Sequence, residues 1–596
     1  MKKCPRCGRE YDLSMGFCLD DGAELLYGPA ATDEPATAIL SASGVRLSGD
    51  LSQEGATQTQ IHTTAEAQPP VSLGGLSETH SLSAHRPAEP QDGEANRAAE
   101  PRARSTKLLA LMGIGFLVLV AGFFGYKYFG SNIKQIESIA VMPFVNESGN
   151  PDVEYLSDGM TETLIGSLSQ LPNLNVQARS SVFRYKGKDT DAKAIGRELN
   201  VQAILNGRVV QHGDDLVLYL ELVDALTGKR IWGDQYNRKQ TDLVTLQSEI
   251  ARDVSNKLKS KLSGAEAAKV EKNYTANPEA YQLYLKGRFY WNKRTAESLK
   301  QAVGFFSQAI EKDPNYALAY SGLAESYVLF PNYSVALPLD CMPKAKAAAV
   351  RALEIDDSLA ETHTALGIYY SNFAWNQPTA EKEFRRAIEI NPNYATAHQQ
   401  FAVECLTAMG RFSEAILEAR RAEELDPLSP IIAADLSNIL SKARQYDESI
   451  VQINHVFTLE PNFWVAHWYL GTAYQGKKQY AEAVAAYRKA MALSPNPWVK
   501  GLLIQSLVSM EQRAEAAKLL SELESESGHG YVSSSSLGMA YGALGDKDKA
   551  FALLNKDIDE RGSRPQLFSL NPIWDDLRDD PRFAELVRRV EAAKMD

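Results

Sequence analysis

Residues 461–495 read PNFWVAHWYLGTAYQGKKQYAEAVAAYRKAMALSP, and apolar side chains recur along this stretch at helical spacing. Small residues, Gly471 and Ala483, stand where two helices would come close, and larger ones such as Tyr487 fill the space between them. Proline cannot continue a helix, so Pro495 marks the end of the second helix. The stretch therefore predicts a pair of packed helices.

The same pattern recurs through the carboxyl-terminal half of the chain. A polar residue followed by proline closes each of these predicted pairs: Asp313-Pro314, Asn391-Pro392, Asp426-Pro427, Glu460-Pro461 and Ser494-Pro495. The last three prolines are 34 residues apart. The best-defined copy resembles the tetratricopeptide repeat (TPR) at His467, Leu470, Gly471, Tyr474, Ala483, Tyr487, Ala490 and Pro495. Because single pairs bury little surface and must stack, we expect an all-α TPR superhelix of about eight repeats over residues 275–560.

Other copies of the repeat differ in how closely they follow the pattern. One runs from Ala317 to Tyr327 and is followed by a longer connection through Cys341 to Ala352. The copies that start near Pro430 and Trp498 are degenerate. Residues 561–596 are predicted to form a helical cap, because the last unit of a stack must cover its outer face.

TPR superhelices generally bind peptides or partner domains along a concave surface formed by the first helix of each repeat. Carried over to this chain, the resemblance places eight residues in such a groove: Val465, Trp468, Thr472, Gln475, Thr364, Ile368, Asn438 and Ser441. The alternative interpretation is that these are ordinary solvent-facing positions. The repeats lack the Lys, Asn and Arg set with which some TPR proteins hold a terminal carboxylate, so capture of a chaperone tail is not expected.

Three of the five cysteines fall within the first eighteen residues. Cys4, Cys7 and Cys18 have the spacing of two paired-ligand turns around one tetrahedral zinc, and Asp21 stands where the fourth ligand is expected. Residues 1–26 resemble the short zinc ribbons that begin many bacterial membrane and signalling proteins. The alternative is a cysteine-containing disordered tail. We predict a structural zinc site, in which the carboxylate of Asp21 is a weaker ligand than a thiolate.

A tether and one apolar segment follow the cysteines. Residues 28–106 contain no Phe, Tyr or Trp, so residues 27–106 are interpreted as a disordered linker. Residues 108–126 carry no charge and are about long enough for a bilayer core, which predicts a transmembrane helix over 107–129. The alternative is a buried helix of a soluble domain.

Flanking charge sets the expected orientation of this span. Arg97, Arg102, Arg104 and Lys107 precede it, whereas only Lys127 and Lys134 follow closely. The positive-inside rule then places the amino terminus in the cytoplasm, where reducing conditions also suit thiolate ligands. We therefore expect a single-pass protein of the inner (cytoplasmic) membrane, with residues 130–596 outside the cytoplasm.

Residues 136–262 alternate between strand and helix patterns. Strands are predicted at Ser138 to Phe144 and near Val176, and a hairpin at Ala203 to Val210 and Leu216 to Val223. A last strand near Ile231 precedes an amphipathic helix, so the region is predicted to be a compact α/β domain.

Several motifs of this region resemble the TolB amino-terminal-like domain: Ser138 to Phe144, Tyr155 to Thr161, Ile195 to Leu199, Gly207 and Leu222 to Trp232. In bacteria this domain commonly precedes TPR repeats in CadC-like transmembrane regulators and in membrane adenylate cyclases, which implies signalling or envelope sensing. The pair Asp158-Gly159 suggests a phosphate or metal site, but a cap and turn at a helix start is the preferred interpretation.

Composition and motifs disfavour nucleic-acid binding and catalysis. The net charge is −12, whereas proteins that grip phosphate backbones cluster Lys and Arg. The chain contains no Walker loop, no His-Glu-x-x-His pair, no Gly-x-Ser-x-Gly elbow and no kinase signature, which predicts a non-enzymatic protein.

The sequence thus predicts a multidomain chain: a zinc ribbon, one transmembrane helix, a TolB-like α/β domain and a TPR superhelix. Two functions remain in view. The first is a membrane-anchored scaffold or sensor whose TPR groove holds a protein or peptide. The second is a signalling or transcriptional regulator whose cytoplasmic ribbon contacts DNA or a signalling protein. CadC-like relatives carry a winged helix at that end, whereas this chain carries the ribbon and the tether, which favours the first.

Overall fold

The computed structural model describes residues 2–3, 10–11 and 136–593, apart from 172, 189, 259–261, 334, 529–531 and 563–566. Near the amino terminus, strands β1 (Lys2–Lys3) and β2 (Glu10–Tyr11) pair in antiparallel fashion. The predicted zinc ligands, the linker and the predicted span over 107–129 lie outside the described residues. Of the helices that are described, none has both the length and the apolar character needed to cross a bilayer.

The first folded part is an α/β module built on a mixed sheet. Its strands are β3 (Ser138–Val141), β4 (Val145–Asn146), β5 (Asn175–Val176), β6 (Ala203–His212), β7 (Asp215–Asp224) and β8 (Arg230–Lys239). Strands lie in the order β5-β3-β6-β7-β8, and β4 also pairs with β6. Strand β3 is parallel to β5 and β6, whereas β6, β7 and β8 form an antiparallel meander. Gly213 has a φ of 59° in the two-residue turn that joins β6 to β7, a conformation that glycine adopts without strain.

The module also contains helices. They are α1 (Glu154–Ser169), α2 (Arg179–Phe183), α3 (Ala192–Glu198), α4 (Leu243–Leu258) and α5 (Gly264–Val270). Alternate residues of β7 point into the core, and all four of its leucines are buried: Leu216, Leu218, Leu220 and Leu222.

The preferred interpretation of Asp158-Gly159 as a helix start is wrong. Helix α1 begins at Glu154, after a short 3₁₀ turn whose cap is Asn150, so Asp158 lies inside the helix. The Asp158 carboxylate instead accepts a hydrogen bond of 2.5 Å from Lys186. A Cβ atom on Gly159 would come within 2.8 Å of the Leu285 side chain, so a glycine is needed where α1 meets the repeats.

Within the described residues, eight helix pairs follow the module. They are α6 (Pro278–Asn292) and α7 (Ala296–Lys312), α8 (Ala317–Leu329) and α9 (Pro338–Ile355), α10 (Ala360–Asn372) and α11 (Gln377–Ile390), α12 (Ala395–Gln400) and α13 (Phe412–Leu425), α14 (Pro430–Lys442) and α15 (Tyr446–Leu459), α16 (Trp464–Gly476) and α17 (Tyr480–Leu493), α18 (Pro497–Ser509) and α19 (Arg513–Ser527), and α20 (Ser534–Leu544) and α21 (Lys547–Asp559). We number these pairs as repeats 1 to 8. A 3₁₀ turn (Pro572–Leu577) and helix α22 (Pro581–Ala592) complete the fold.

Two details of the repeats differ from the sequence-based expectation. The long connection in repeat 2 does not extend through Cys341 to Ala352, because those residues lie in helix α9; the connection covers 330–337. In repeat 4, α12 continues as a π-helical segment (Phe401–Leu406), which the helical spacing did not predict.

Large aromatic side chains of the second helices pack onto glycines of the first helices. Phe384 lies against Gly367, and Tyr487 lies against Gly471. A Cβ atom at these glycines would come within 2.7 Å and 2.5 Å of the aromatic ring. The small residues at this position therefore set the close spacing of the two helices, as the sequence pattern predicts.

The turn between the two helices has a characteristic backbone conformation. In seven of the eight described repeats it contains a residue with positive φ: Arg294, Trp375, Gly410, Arg444, Lys478, Glu511 and Gly545. Only two of the seven are glycines, so the other five carry a conformational cost of about 1–2 kcal/mol each. These residues keep the left-handed conformation despite this cost, because that conformation reverses the chain between the paired helices.

Replacing Glu511 by glycine is expected to stabilise the chain by about 1 kcal/mol, because Glu511 has a φ of 62° and an exposed side chain. The free energy of unfolding in urea measures the effect. Glu511→Ala is the matched control, since it removes the same side chain but keeps the strain. Gly545→Ala should destabilise the folded chain by a similar amount, because Gly545 has a φ of 97°. The added Cβ would meet no other atom within 4 Å, so backbone strain is the only effect expected. Equal stabilities of the glycine and alanine variants at 511 would contradict this account.

A candidate binding chamber

The α/β module contacts the edge of the superhelix that is formed by the loops between successive repeats, which we call the loop edge. After repeat 1, Asp313 accepts a hydrogen bond of 2.5 Å from the Thr275 hydroxyl. After repeat 2, the Asp356 carboxylate accepts a hydrogen bond of 2.7 Å from the Lys272 ammonium. Both donors lie in the segment that joins the module to the repeats.

The module continues along the loop edge to repeat 5. After repeat 3, Asn391 donates to the Ser169 hydroxyl at 3.2 Å. After repeat 4, the Asp426 carboxylate accepts hydrogen bonds from Ser180 and from Ser181, the latter at 2.5 Å. Burial raises the pKa of Asp426, against the opposing effect of these two hydroxyls. Three of these four loop-edge residues, Asp313, Asn391 and Asp426, directly precede a repeat-ending proline.

A buried charge cluster joins the module to the concave face of repeats 1 and 2. The Arg288 guanidinium contacts Glu162 of the module at 2.6 Å and Glu325 of repeat 2 at 2.8 Å. All three side chains are at most 15% exposed. Asn292 donates a further hydrogen bond of 2.6 Å to Glu162, and Arg179 lies 3.2 Å from the same carboxylate.

Burial disfavours the charge on each member of this cluster, and the partners oppose that effect. For Glu162, the nearby Arg288 and Arg179 outweigh burial and hold the pKa below its usual value. For Glu325, burial outweighs Arg288 and the pKa is raised. The carboxylate of the module has two arginines and an amide as partners, whereas that of the repeat pairs with Arg288 alone among the contacts described above.

The opposite edge of the superhelix is formed by the turns within repeats. The chain that follows repeat 8 runs back along this edge and contacts it. We call this part the closing segment (residues 561–562 and 567–578). Arg561 donates to the Phe373 carbonyl of repeat 3 at 3.2 Å. Asp575 pairs with Arg444 of repeat 5 at 2.9 Å, and the Ile573 carbonyl accepts from Gln505 of repeat 7 at 2.9 Å.

An aromatic cluster fixes the closing segment in place. Trp375, in the turn of repeat 3, shares one buried hydrophobic cluster with Phe568 and Trp574 of the closing segment. These three side chains are at most 2% exposed. Trp574 also packs edge-on against Trp498 of repeat 7, with ring centroids 6.4 Å apart. Repeats 3 and 7 are therefore tied together through the end of the chain.

The concave face of the superhelix becomes a chamber of about 1490 Å³ between the module and the closing segment. All eight groove residues predicted from the sequence line this chamber: Thr364, Ile368, Asn438, Ser441, Val465, Trp468, Thr472 and Gln475. The structure thus brings residues of repeats 3, 5 and 6 to one cavity. Their part in binding a ligand stays a prediction.

Several of these residues are already engaged inside the protein. Gln475 accepts from Tyr487 and donates to Gln505, both at 2.7 Å. Ser441 bonds to Ser449 at 2.8 Å, and Thr364 donates to the Ala360 carbonyl at 2.9 Å. These side chains shape the wall of the chamber rather than offer free hydrogen-bonding groups.

Two other predicted positions present more available surfaces. Asn438 is half-buried, and no hydrogen bond of its side chain is found within the described part of the chain. Trp468 stacks on Trp464 with ring centroids 5.9 Å apart and planes 10° from parallel. An amide and a stacked indole pair suit contacts with backbone groups and apolar side chains of a ligand.

The charged end of the chamber was not predicted from the sequence. Arg288 directly follows Gly287, which packs against Phe306 as Gly471 packs against Tyr487. Ile368 and Thr472, both predicted as groove residues, follow Gly367 and Gly471 in the same way. In each of these repeats the residue that directly follows the packed glycine lines the groove. The same position in repeat 1 is Arg288. No comparable signal pointed to Glu162, because it lies in another domain.

Two family models match parts of the chain. Residues 464–497 match the tetratricopeptide repeat, in agreement with the predicted repeats. Residues 134–272 match a model described as the HilA/YgeH-like transcriptional regulator, second domain. The matched model is not described as TolB-like, so the TolB resemblance of the module stays a prediction. The stacked helix pairs and the repeat match define a TPR protein with a mixed α/β module, of the class that generally binds proteins or peptides.

The chain is similar to proteins of known name over part of its length. It is 33% identical over 235 residues to the putative adenylate cyclase 3 of Rhizobium meliloti. The aligned residues make up 39% of this chain and 40% of the relative. It is 20% identical over 346 residues to the transcriptional regulator HilA of Salmonella typhimurium, which covers 56% of this chain and 54% of the relative. The chain thus spans about half the length of these relatives. A solved structure of Pseudomonas aeruginosa pilF has a TM-score of 0.28 at 21% identity, over 35% of this chain and 90% of that one.

Proposed function

We propose that this chain is a membrane-anchored scaffold or sensor of bacterial signalling or envelope processes, and that its chamber holds a segment of a partner protein. The observation that carries the proposal is the chamber itself, since residues predicted for a groove from three separate repeats line one cavity. The proposal includes no catalytic step. The similarity to a cyclase covers 39% of this chain and does not extend that protein's activity to it.

The dimensions and lining of the chamber support a peptide segment as its occupant. Small-molecule sites usually measure about 300–1,000 Å³, and this chamber is larger at about 1490 Å³. Its wall combines indoles, such as Trp464 and Trp468, with amides such as Asn438. Such a surface suits an extended peptide, which offers alternating side chains and backbone groups.

The remaining parts of the proposal come from the sequence. Residues 107–129 cross the inner membrane, residues 130–596 lie outside the cytoplasm, and the amino terminus lies inside. There, Cys4, Cys7, Cys18 and Asp21 hold one structural zinc ion. The ribbon would then report the state of the chamber across the membrane, through the tether, to a cytoplasmic protein.

The second candidate is a signalling or transcriptional regulator whose ribbon acts on DNA or on a signalling protein. The match of residues 134–272 to a domain of transcriptional regulators favours it. The two candidates share the chamber and differ in the role of residues 1–26. Binding of DNA to residues 1–26 would favour the regulator. Capture of a partner in the chamber without any DNA binding would favour the scaffold.

A photo-crosslinking amino acid placed at Trp468 is expected to capture a partner in native membranes, because this position lines the chamber. The matched control is Val451, which is 69% exposed on the second helix of repeat 5. Crosslinked products are identified by mass spectrometry. The variant Asn438→Arg should reduce the Trp468 product about tenfold by adding bulk and charge to the chamber wall, as expected for a loss of about 1.4 kcal/mol of binding free energy. The proposal fails when the two positions give the same products, or when Trp468 gives none.

The full chain is expected to carry one zinc ion, measured by elemental analysis of the purified protein. Cys7→Ser should lose the metal, because it removes a thiolate ligand. Cys341→Ser is the matched control, since Cys341 is buried in helix α9 and has no part in the ribbon. A wild-type chain without zinc, or equal zinc in both variants, would show that the ribbon is misassigned.

A further inference from the structure

The turn that joins β7 to β8 lies beside the point where the chain enters the module. Gln202 connects the two, because its side-chain oxygen accepts from the Glu137 amide at 2.8 Å and its backbone carbonyl accepts from the Ala225 amide at 2.9 Å. Strand β3 begins one residue after Glu137, and the turn begins at Ala225. Both features therefore occupy the same end of the sheet.

The turn and the start of β8 carry large apolar side chains with exposed surface. Leu226 is 80% exposed and Ile231 is 43% exposed, whereas the leucines of β7 are fully buried. Trp232, next to Ile231, is half-buried and packs its inner part against the module core. We call Leu226, Ile231 and Trp232 the apolar tip. Isolated exposed apolar residues are common, but these three lie at one end of the sheet, beside the point where the chain enters the module.

Cations flank the apolar tip. Lys229 is exposed, and no carboxylate lies within ion-pair distance of it in the described part of the chain. Arg230 is 3.8 Å from Glu221, and both of these side chains are about half exposed, so the pair contributes little. Lys193 of helix α3 lies over Gly228, close to the same turn. Asp224, the nearest acid in sequence, accepts hydrogen bonds from Thr227.

We propose that the apolar tip inserts into the interface of the bilayer that anchors the chain. The inference rests on the proposed transmembrane span. Six residues, 130–135, separate the end of that span from the first described residue of the module. A chain that leaves a bilayer at residue 129 enters the module within about 20–25 Å of the membrane surface. The tip lies at the end of the sheet where the chain enters the module, which is the end with the shortest reach along the chain to the span.

The chemistry of the tip fits a lipid surface. Indole rings favour the membrane–water interface, because one edge is apolar and the N–H is polar. Leucine and isoleucine side chains gain from contact with acyl chains, and adjacent Lys and Arg attract anionic headgroups. The tip would thereby fix the orientation of the module, and with it the repeats, relative to the membrane.

Trp232 makes this contact measurable in the full chain. The other six tryptophans stand at position 291 or beyond, and the predicted span contains none. The full chain is reconstituted in vesicles of phosphatidylcholine and phosphatidylglycerol, with or without bromine atoms on the acyl chains. Bromine is expected to quench part of the tryptophan emission. Trp232→Phe should abolish that bromine-dependent part, whereas Trp498→Phe, the matched control in repeat 7, should retain it.

A second variant separates insertion from folding. Leu226→Gln combined with Ile231→Thr keeps Trp232 but removes the exposed apolar surface, so bromine quenching should fall by half or more while the thermal unfolding midpoint is unchanged. Quenching that is absent, or that survives Trp232→Phe, in a chain that floats with the vesicles overturns the inference and leaves the anchor intact. A chain that does not float with the vesicles overturns the anchor and the inference together.

Discussion

The contact of Arg288 with Glu162 and Glu325 determines how the two folded parts of this protein are arranged. Repeat 1 places a guanidinium on its concave face, where a stacked superhelix buries it. A buried charge without partners costs several kcal/mol, and repeat 2 supplies only one carboxylate. The second carboxylate comes from helix α1 of the module, so the cluster is complete only when the module is docked. The hydrogen bonds along the loop edge then extend that contact from repeat 1 to repeat 5.

This arrangement changes what the concave face can do. An open TPR groove accepts a long segment that runs along the whole superhelix, whereas this face is covered by the module on one edge and by the closing segment on the other. The closing segment even reaches the predicted groove, because Gln505 links Gln475 to the Ile573 carbonyl. The proposed partner segment must therefore be short enough for the chamber, or must displace the closing segment. The exposed Arg444–Asp575 pair is the weakest of the contacts that hold this segment, whereas the cluster around Trp375 and Trp574 is the strongest.

The local structure of the chain follows from its sequence to a large extent. Helix periodicity, the glycines under aromatic rings and the repeat-ending prolines predict the helix pairs, and strand alternation predicts the hairpin of the module. The features that sequence reasoning missed depend on contacts between distant parts of the chain. Asp158 looked like a helix cap because its partner, Lys186, is brought to it only by the fold. The enclosure of the groove was also missed, because a repeat pattern describes nearest neighbours and carries no information on what covers the concave face. The position of Arg288 in the groove could have been predicted, since Arg288, like Ile368 and Thr472, directly follows a packed glycine.

The most direct test of the docked arrangement is the coupling free energy between Glu162 and Arg288. It is obtained from urea unfolding of the full chain, Glu162→Gln, Arg288→Met and the double variant. Burial of both side chains predicts a coupling of about 2 kcal/mol or more, whereas the exposed pair Arg421 and Glu424 serves as reference and should give less than about 0.5 kcal/mol. A coupling for Glu162 and Arg288 no larger than that of the reference pair would contradict the docked arrangement, and with it the chamber between the module and the closing segment.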